Sequence, residues 1–101
     1  MKLPEDAFVL ELLPEFIDQW LIDIDEQYDE LINTKNDADL YRLAHTLKGS
    51  CLQFSLDDIA ALGIQLQGIS KALSWDEAIE MKSKLVNKFK EAREFITSLG
   101  M

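Results

Sequence analysis

The sequence predicts an all-α protein, an antiparallel up-down four-helix bundle with a short N-terminal helix. Apolar residues recur at helical spacing through most of the 101 residues, and no stretch shows the period-2 alternation of a half-buried strand. Two prolines and four glycines leave few signals for the turns that a β fold requires. A chain of this length can bury a core without disulfides or metals, so we expect one bundle domain over residues 1–101.

The first half of the chain predicts a short helix and then two long ones. The short helix covers about residues 5–13, and Pro14 suits the first turn of the next helix, where its missing N–H group costs nothing. That long helix ends near residue 34. Asn36 or Asp37 is expected to cap the following helix, which covers about residues 38–53.

The second half predicts two further helices. Ser55 is a candidate cap for the third long helix, and Ser74 with Glu77 has the spacing of a capping box that opens the fourth. Each long helix has one apolar face, which we interpret as core. The four faces are Ile17, Trp20, Leu21, Ile24, Tyr28 and Leu31; Leu40, Leu43, Ala44, Leu47, Cys51 and Phe54; Ile59, Leu62, Leu66, Ile69 and Leu73; and Ala78, Met81, Leu85, Phe89, Ala92, Ile96 and Leu99.

Charge and cysteine content limit the possible partners. The 19 acidic and 10 basic residues give a net charge of −9. Nucleic acid and anionic lipid bind proteins through Lys and Arg, so neither is expected as a partner. The single cysteine, Cys51, cannot form an internal disulfide, and no apolar run is long enough for a signal peptide or a membrane helix. These features favour a reduced, cytoplasmic setting.

The segment AHTLKGS, residues 44–50, contains the one histidine of the chain. At about 100° per residue, His45 lies about 140° from Leu40 on the helix, and Gly49 lies about 180° from it. The imidazole is therefore expected to face solvent, with Lys48 beside it one turn later. Glycine inside a helix costs about 1 kcal/mol relative to alanine. Gly49 therefore indicates close approach by something outside the bundle.

Several chemistries are open to a surface histidine, and a merely solvated side chain is the simplest. A metal site has little support, because there is no second histidine or cysteine and no Glu-x-x-His pair. Hydrolysis by acid–base catalysis needs a pocket and an orienting group, and a small bundle has a filled interior. A nucleophile on a convex surface instead suits a protein substrate. If the imidazole takes a phosphoryl group, Lys48 at i+3 can offset the new negative charge.

A docking surface is expected around His45. Tyr41 and Leu52 fall on the same outer sector of the helix, and Ile64, opposite the core face of the next helix, extends that surface. Against the acidic background, three cations are expected to make this face locally less negative: Arg42, Lys48 and Lys71.

The stretch LYRLAHTLKGSCLQFSLDDIAAL, residues 40–62, resembles the central motif of the histidine-containing phosphotransfer (HPt) domain. LLPEFIDQW, residues 12–20, resembles the opening helix of that family, whose fold is a four-helix bundle. By position, the resemblance implies that His45 accepts a phosphoryl group, Lys48 steadies it and Gly49 gives the partner access. It also implies that Gln67 orients the imidazole, although an ordinary solvated amide fits this position equally well. Ser55 stands where the family usually has a glycine, so we expect a local change in that link.

The resemblance implies a phosphorelay intermediate. His45 would attack, through Nε2, the phospho-aspartate of a response-regulator receiver domain and pass the phosphoryl group to another receiver; a hybrid sensor histidine kinase is the other expected partner. The chain would be a monomeric carrier without its own cofactor, with Mg²⁺ on the receiver. It has no Gly-rich phosphate loop with which to phosphorylate itself from ATP. Two alternatives remain, a receiver-binding adaptor that signals by docking alone and a small hydrolase.

Overall fold

The computed structural model describes all residues from Met1 to Met101 and contains helices without strands. The helices form four rods, as predicted. The first rod is continuous and consists of three successive segments, α1, a π-helical turn and α2. In chain order the elements are α1 (Ala7–Asp23), the π-helical turn (Ile24–Tyr28), α2 (Asp29–Asn33), α3 (Asp37–Gln53), α4 (Asp57–Lys71) and α5 (Trp75–Ser98).

The expected separate N-terminal helix is wrong, because α1 continues through Pro14. Asp6 begins this helix, and its carboxylate accepts a hydrogen bond from the Phe8 N–H at 2.8 Å. A proline inside a helix removes one backbone hydrogen bond, at a cost of about 3 kcal/mol. Leu13 and Ile17 on either side of it are fully buried, and each such side chain stabilises the fold by about 1.5–3 kcal/mol. Burial of this face therefore offsets the cost of the proline.

The core lies between the inner faces of the rods. Aromatic pairs join α1 to its neighbours: the Phe16 and Phe54 rings stack with centroids 3.9 Å apart, and Trp20 stacks on Phe89 at 6.2 Å. Burial raises the pKa of the Cys51 thiol to about 12, so it stays protonated at neutral pH. The expectation that Leu73 and Leu99 lie in the core is wrong, because both lie at helix ends and are exposed. The fully buried large side chains are Leu13, Ile17, Ile24, Tyr28, Leu40, Leu47, Cys51, Leu66, Met81, Leu85, Phe89 and Ile96. None of the helices combines the length and apolar character needed to cross a membrane.

A hydrogen bond closes the end of the core near the π-helical turn. The Tyr28 side chain is fully buried, and its hydroxyl donates to the Ala78 carbonyl at 2.5 Å. Burial, with a smaller effect from the Asp29 carboxylate, raises the pKa of Tyr28 above its ordinary value. The hydroxyl therefore stays protonated and ties the first rod to α5.

The three links between rods share one geometry. Each contains a residue with positive φ, namely Lys35 at 50°, Ser55 at 61° and Leu73 at 55°. After Ser55, the Leu56 N–H donates to the Cys51 carbonyl at 2.9 Å. This is the Schellman arrangement that satisfies the last carbonyls of a helix. In each link one cap residue follows the residue with positive φ, and the next helix begins directly after it. The links are therefore only a few residues long.

Of the three predicted helix caps, one is confirmed and two are wrong. Asn36 caps α3 as predicted, and its side-chain oxygen accepts from the Asp39 N–H at 3.1 Å. Leu56, rather than Ser55, is the cap residue of α4, because Ser55 is occupied in ending α3 in the left-handed conformation. Ser74 is the cap residue of α5, but its side chain makes no capping hydrogen bond, so the predicted capping box with Glu77 is wrong.

We expect Ser55→Gly to stabilise the protein. A residue with a Cβ atom at positive φ costs about 1–2 kcal/mol, and glycine avoids this while losing part of the gain as chain entropy. The net gain of about 1 kcal/mol corresponds to a rise in melting temperature of about 4 °C in a thermal scan. Ser83→Gly, at an exposed position inside α5, is the matched control and should lower the melting temperature. A lower melting temperature for Ser55→Gly would contradict the observed backbone conformation.

Candidate functional site

The His45 site lies where α3 and α4 pack side by side. Gly63 of α4 is buried against α3, and a Cβ atom there would lie 3.1 Å from the Ala44 carbonyl oxygen and 3.1 Å from the Lys48 backbone nitrogen. Further along, the Ser70 hydroxyl donates to the Asp37 carbonyl at 2.6 Å. The missing side chain at Gly63 therefore lets the two helices approach closely enough for their outer side chains to meet.

We call the outer edge of this packing the α3–α4 seam, formed by Tyr41, His45 and Lys48 on α3 and by Gln67 and Lys71 on α4. Tyr41 contacts Lys71, and His45 contacts Gln67. Residue numbers therefore rise along α3 while those of their partners fall along α4. This order confirms that α3 and α4 are antiparallel. It also brings residues more than twenty positions apart into one site.

His45 is exposed, as its helical spacing predicts, and one side of its ring is engaged. Its Nδ1 atom lies 3.3 Å from the side-chain Nε2 of Gln67, whereas its own Nε2 has no hydrogen-bond partner in the protein. An amide can present either its N–H or its carbonyl oxygen to a ring nitrogen. When the Gln67 oxygen accepts from Nδ1–H, the lone pair of a neutral imidazole is on the outward Nε2. The side chains of Gln67 and His45 are therefore in contact, as the resemblance implies.

Lys48 and Gly49 border His45 on α3. Lys48 is half-buried, and no carboxylate lies within ion-pair distance of it. Gly49 is exposed, and a Cβ atom at this position would meet no atom within 4 Å. Packing within the protein therefore does not require a glycine at position 49, in contrast to position 63.

The cations around the site are fewer than expected. Arg42 forms an ion pair with Asp39 at 2.9 Å and lines a groove that also includes Trp20 of α1. It consequently lies on the side of α3 turned away from α4, and its expected contribution to the face around His45 is wrong. The helical spacing of Arg42 places it outside the apolar face of α3, but spacing does not show which neighbouring helix lies on that side.

The three apolar residues expected at the docking surface differ in exposure. Leu52 and Ile64 have 52% and 56% of their surface exposed, which is high for large aliphatic side chains. Tyr41 is half-buried, and the Lys71 ammonium lies 5.3 Å from the centroid of its ring. Leu52 and Ile64 therefore offer apolar surface on α3 and α4, while Tyr41 is partly covered by a lysine.

The shape and donor set of the seam limit its chemistry. His45 lines none of the four principal surface clefts, which have volumes of 260–420 Å³. These clefts therefore give no support to a hydrolase site at His45, since a small substrate is usually held in a pocket. No group of three or more His, Cys, Asp or Glu side chains is placed to bind a metal ion. The seam combines one nucleophilic imidazole, one amide and two ammonium groups, which suits an anionic group on the imidazole.

Gly63 is the residue shaping this site that the sequence interpretation missed. Its signal is a glycine about 40° from Ile59, inside the apolar face of its helix, where a small residue marks close helix packing rather than a partner. Gly49 and Gly63 look alike in sequence, since both lie in helix interiors, and only their angular positions separate them.

Comparison with known families adds one finding. The family model described as Hpt domain matches residues 11–95, which include all of α3 and α4. No curated protein and no solved structure matches the chain. The match covers more than four fifths of the sequence and contains the whole seam.

Proposed function

Because the chain belongs to the Hpt domain family, whose members carry out histidine phosphotransfer in two-component signalling, we propose that it is a phosphorelay intermediate that uses His45. The phosphoryl group would come from a receiver-domain phospho-aspartate and go to a second receiver. One observation supports this choice of residue above all. The single histidine is exposed, with Nδ1 against Gln67 and Nε2 open to a partner.

The proposed transfer needs little chemistry from this chain. The Nε2 lone pair attacks phosphorus in line with the acyl-phosphate P–O bond. That bond breaks, the aspartate leaves as a carboxylate with the electron pair, and an Nε2–P bond forms. The proton on Nδ1 stays on the ring, and the Gln67 amide accepts its hydrogen bond once the amide is turned so that its oxygen, rather than the nitrogen observed there, faces Nδ1. The same steps in reverse pass the phosphoryl group to the next receiver, so the chain acts as a carrier.

Lys48 has the role of steadying the phosphoryl group. Lys48 follows His45 by about one helical turn. Because helical side chains lean toward the N-terminus of the helix, the Lys48 side chain leans toward His45. It has no carboxylate partner to leave before it can bind a phosphoryl oxygen. Opposite charges at this spacing attract without any change of backbone.

The docking partner is proposed to be a receiver domain, including the receiver of a hybrid sensor histidine kinase. The bare backbone at Gly49 lets the partner's active site approach His45 closely, and the exposed Leu52 and Ile64 side chains give it apolar surface. The seam of this chain has no carboxylate donors of its own for Mg²⁺, so the metal would be held by the receiver. The chain itself is expected to remain a monomer.

Mixing the protein with a receiver domain that carries ³²P-labelled phospho-aspartate tests the proposal. We expect label to appear on this chain within the lifetime of the phospho-receiver, as one acid-labile and base-stable phosphate per chain. The alternative adaptor would bind the receiver, seen by titration calorimetry, without taking label from any receiver of the source organism. Binding without label would therefore replace transfer with docking as the function.

A further inference from the structure

Two lysines at the α3–α4 seam lack acidic partners in a strongly acidic protein. Of the ten Lys and Arg residues, four form ion pairs: Arg42, Lys82, Lys88 and Arg93. Lys48 and Lys71, the two on the seam, do not. Lys2, Lys35, Lys84 and Lys90 are unpaired as well, but Lys48 and Lys71 flank the contact between His45 and Gln67, so both ammonium groups are free to bind an anion there.

The directions of the two side chains converge. Along a helix, each Cα–Cβ bond tilts toward the N-terminus. Lys48 follows His45 on α3, and Lys71 follows Gln67 on α4, so both side chains lean back toward the contact between His45 and Gln67. Because α3 and α4 are antiparallel, the two ammonium groups lean toward that contact from opposite ends.

Lys71 is already held close to this contact by a weak interaction. Its Nζ atom lies 5.3 Å from the centroid of the Tyr41 ring, and Tyr41 is one helical turn from His45. One turn advances about 5.4 Å along the axis, which a lysine side chain spans by changing rotamers. A cation on a partly exposed aromatic face is bound less strongly than one paired with a phosphate dianion. A phosphoryl group on Nε2 would consequently compete well for Lys71.

We propose that Lys71 is a second phosphoryl-binding residue, which lies on the Tyr41 ring while His45 is free and moves to the phosphoryl group when His45 carries one. This inference rests on the proposed function, because it requires phosphohistidine at position 45. Two cations on one phosphoryl group would then balance a dianion on a chain whose net charge is −9. Lys48 would bind from α3 and Lys71 from α4.

Phosphoramidate gives the phosphorylated state without a partner protein. The Nε2 lone pair attacks its phosphorus, the P–N bond breaks, ammonia leaves and the Nε2–P bond forms. A ³¹P NMR titration then measures the pKa of the phosphoryl group. Since a nearby cation favours the dianion, Lys71→Gln should raise this pKa by about 0.3 pH unit. Lys90→Gln, at an exposed and unpaired lysine of α5, is the matched control and should leave it unchanged.

A second readout follows the movement of Lys71 itself. Its ammonium lies over the Tyr41 ring, so the ¹H signals of the adjoining ε-methylene group should be shifted upfield, and Tyr41→Leu identifies the shift by removing it. On phosphorylation of the parent protein the shift should disappear. An unchanged shift, or an equal phosphoryl pKa in the Lys71→Gln and Lys90→Gln variants, would overturn the role of Lys71 alone. If the parent takes no phosphoryl group on His45, the proposed function fails together with it.

Discussion

His45→Gln is expected to take no label from a phosphorylated receiver, which is a complete loss of transfer. Glutamine offers an amide where the imidazole has a nucleophilic lone pair, and no second histidine can substitute. The side chain is exposed and its one hydrogen bond is to Gln67, so the free energy of unfolding should change by less than about 0.5 kcal/mol. Label on the chain and the midpoint of thermal unfolding are the two measurements.

Thr46→Gln is the matched control for this loss. Thr46 is the next residue on α3, is exposed, and lines the groove toward α1 rather than the seam. It should keep the transfer rate of the parent. Label retained in His45→Gln would place the phosphoryl group on another residue and end the assignment, whereas loss of label in Thr46→Gln would show that the assay responds to any change in α3.

Gly63→Val is expected to destabilise the protein by about 3 kcal/mol. Already a Cβ atom would approach two backbone atoms of α3 at 3.1 Å, and a helix backbone cannot rotate aside as a side chain can. Valine adds two methyl groups to this overpacked position, which typically costs 1–3 kcal/mol or more. The melting temperature should fall by about 12 °C or more. The widened seam should also separate Gln67 from His45, visible as a loss of the contact between their side chains in NMR spectra.

The same replacement of glycine by valine at position 49 is expected to have the opposite effect on stability. Position 49 has no neighbour within 4 Å, and valine has a slightly better helix propensity than glycine, so stability should rise by a few tenths of a kcal/mol. Transfer from the receiver should nevertheless slow, because the added side chain stands where the partner approaches His45. Equal destabilisation by the two variants would show that the two glycines have the same structural role.

Hydrophobic periodicity predicts much of this molecule. It gives the four rods, the inward residues of α3 and the outward direction of His45, because each of these depends on angular position around one helix. It does not give the identity of the neighbouring helix. Arg42 and Lys71 both lie outside the apolar face, yet one turns toward α1 and the other meets Tyr41 of α3. That difference depends on how the rods pack.

Local signals at helix ends predict less. Pro14 is typical of a helix start, but burial of Leu13 and Ile17 keeps α1 continuous across it. Ser55 has the residue type of a cap, and its conformation is decided instead by the need to end α3 and begin α4 within a few residues. In both places a tertiary requirement overrides the local preference of the residue.

The nitrogen that carries the phosphoryl group is the most direct test of the proposed site. Because the chain has one histidine, a long-range ¹H–¹⁵N NMR spectrum of the phosphorylated protein shows a single ring, and coupling to ³¹P identifies the bonded atom. We predict coupling to the outward Nε2, with Nδ1 protonated against Gln67. Coupling to Nδ1 would contradict the proposed site, and so would an unmodified imidazole in a chain that carries the phosphoryl label.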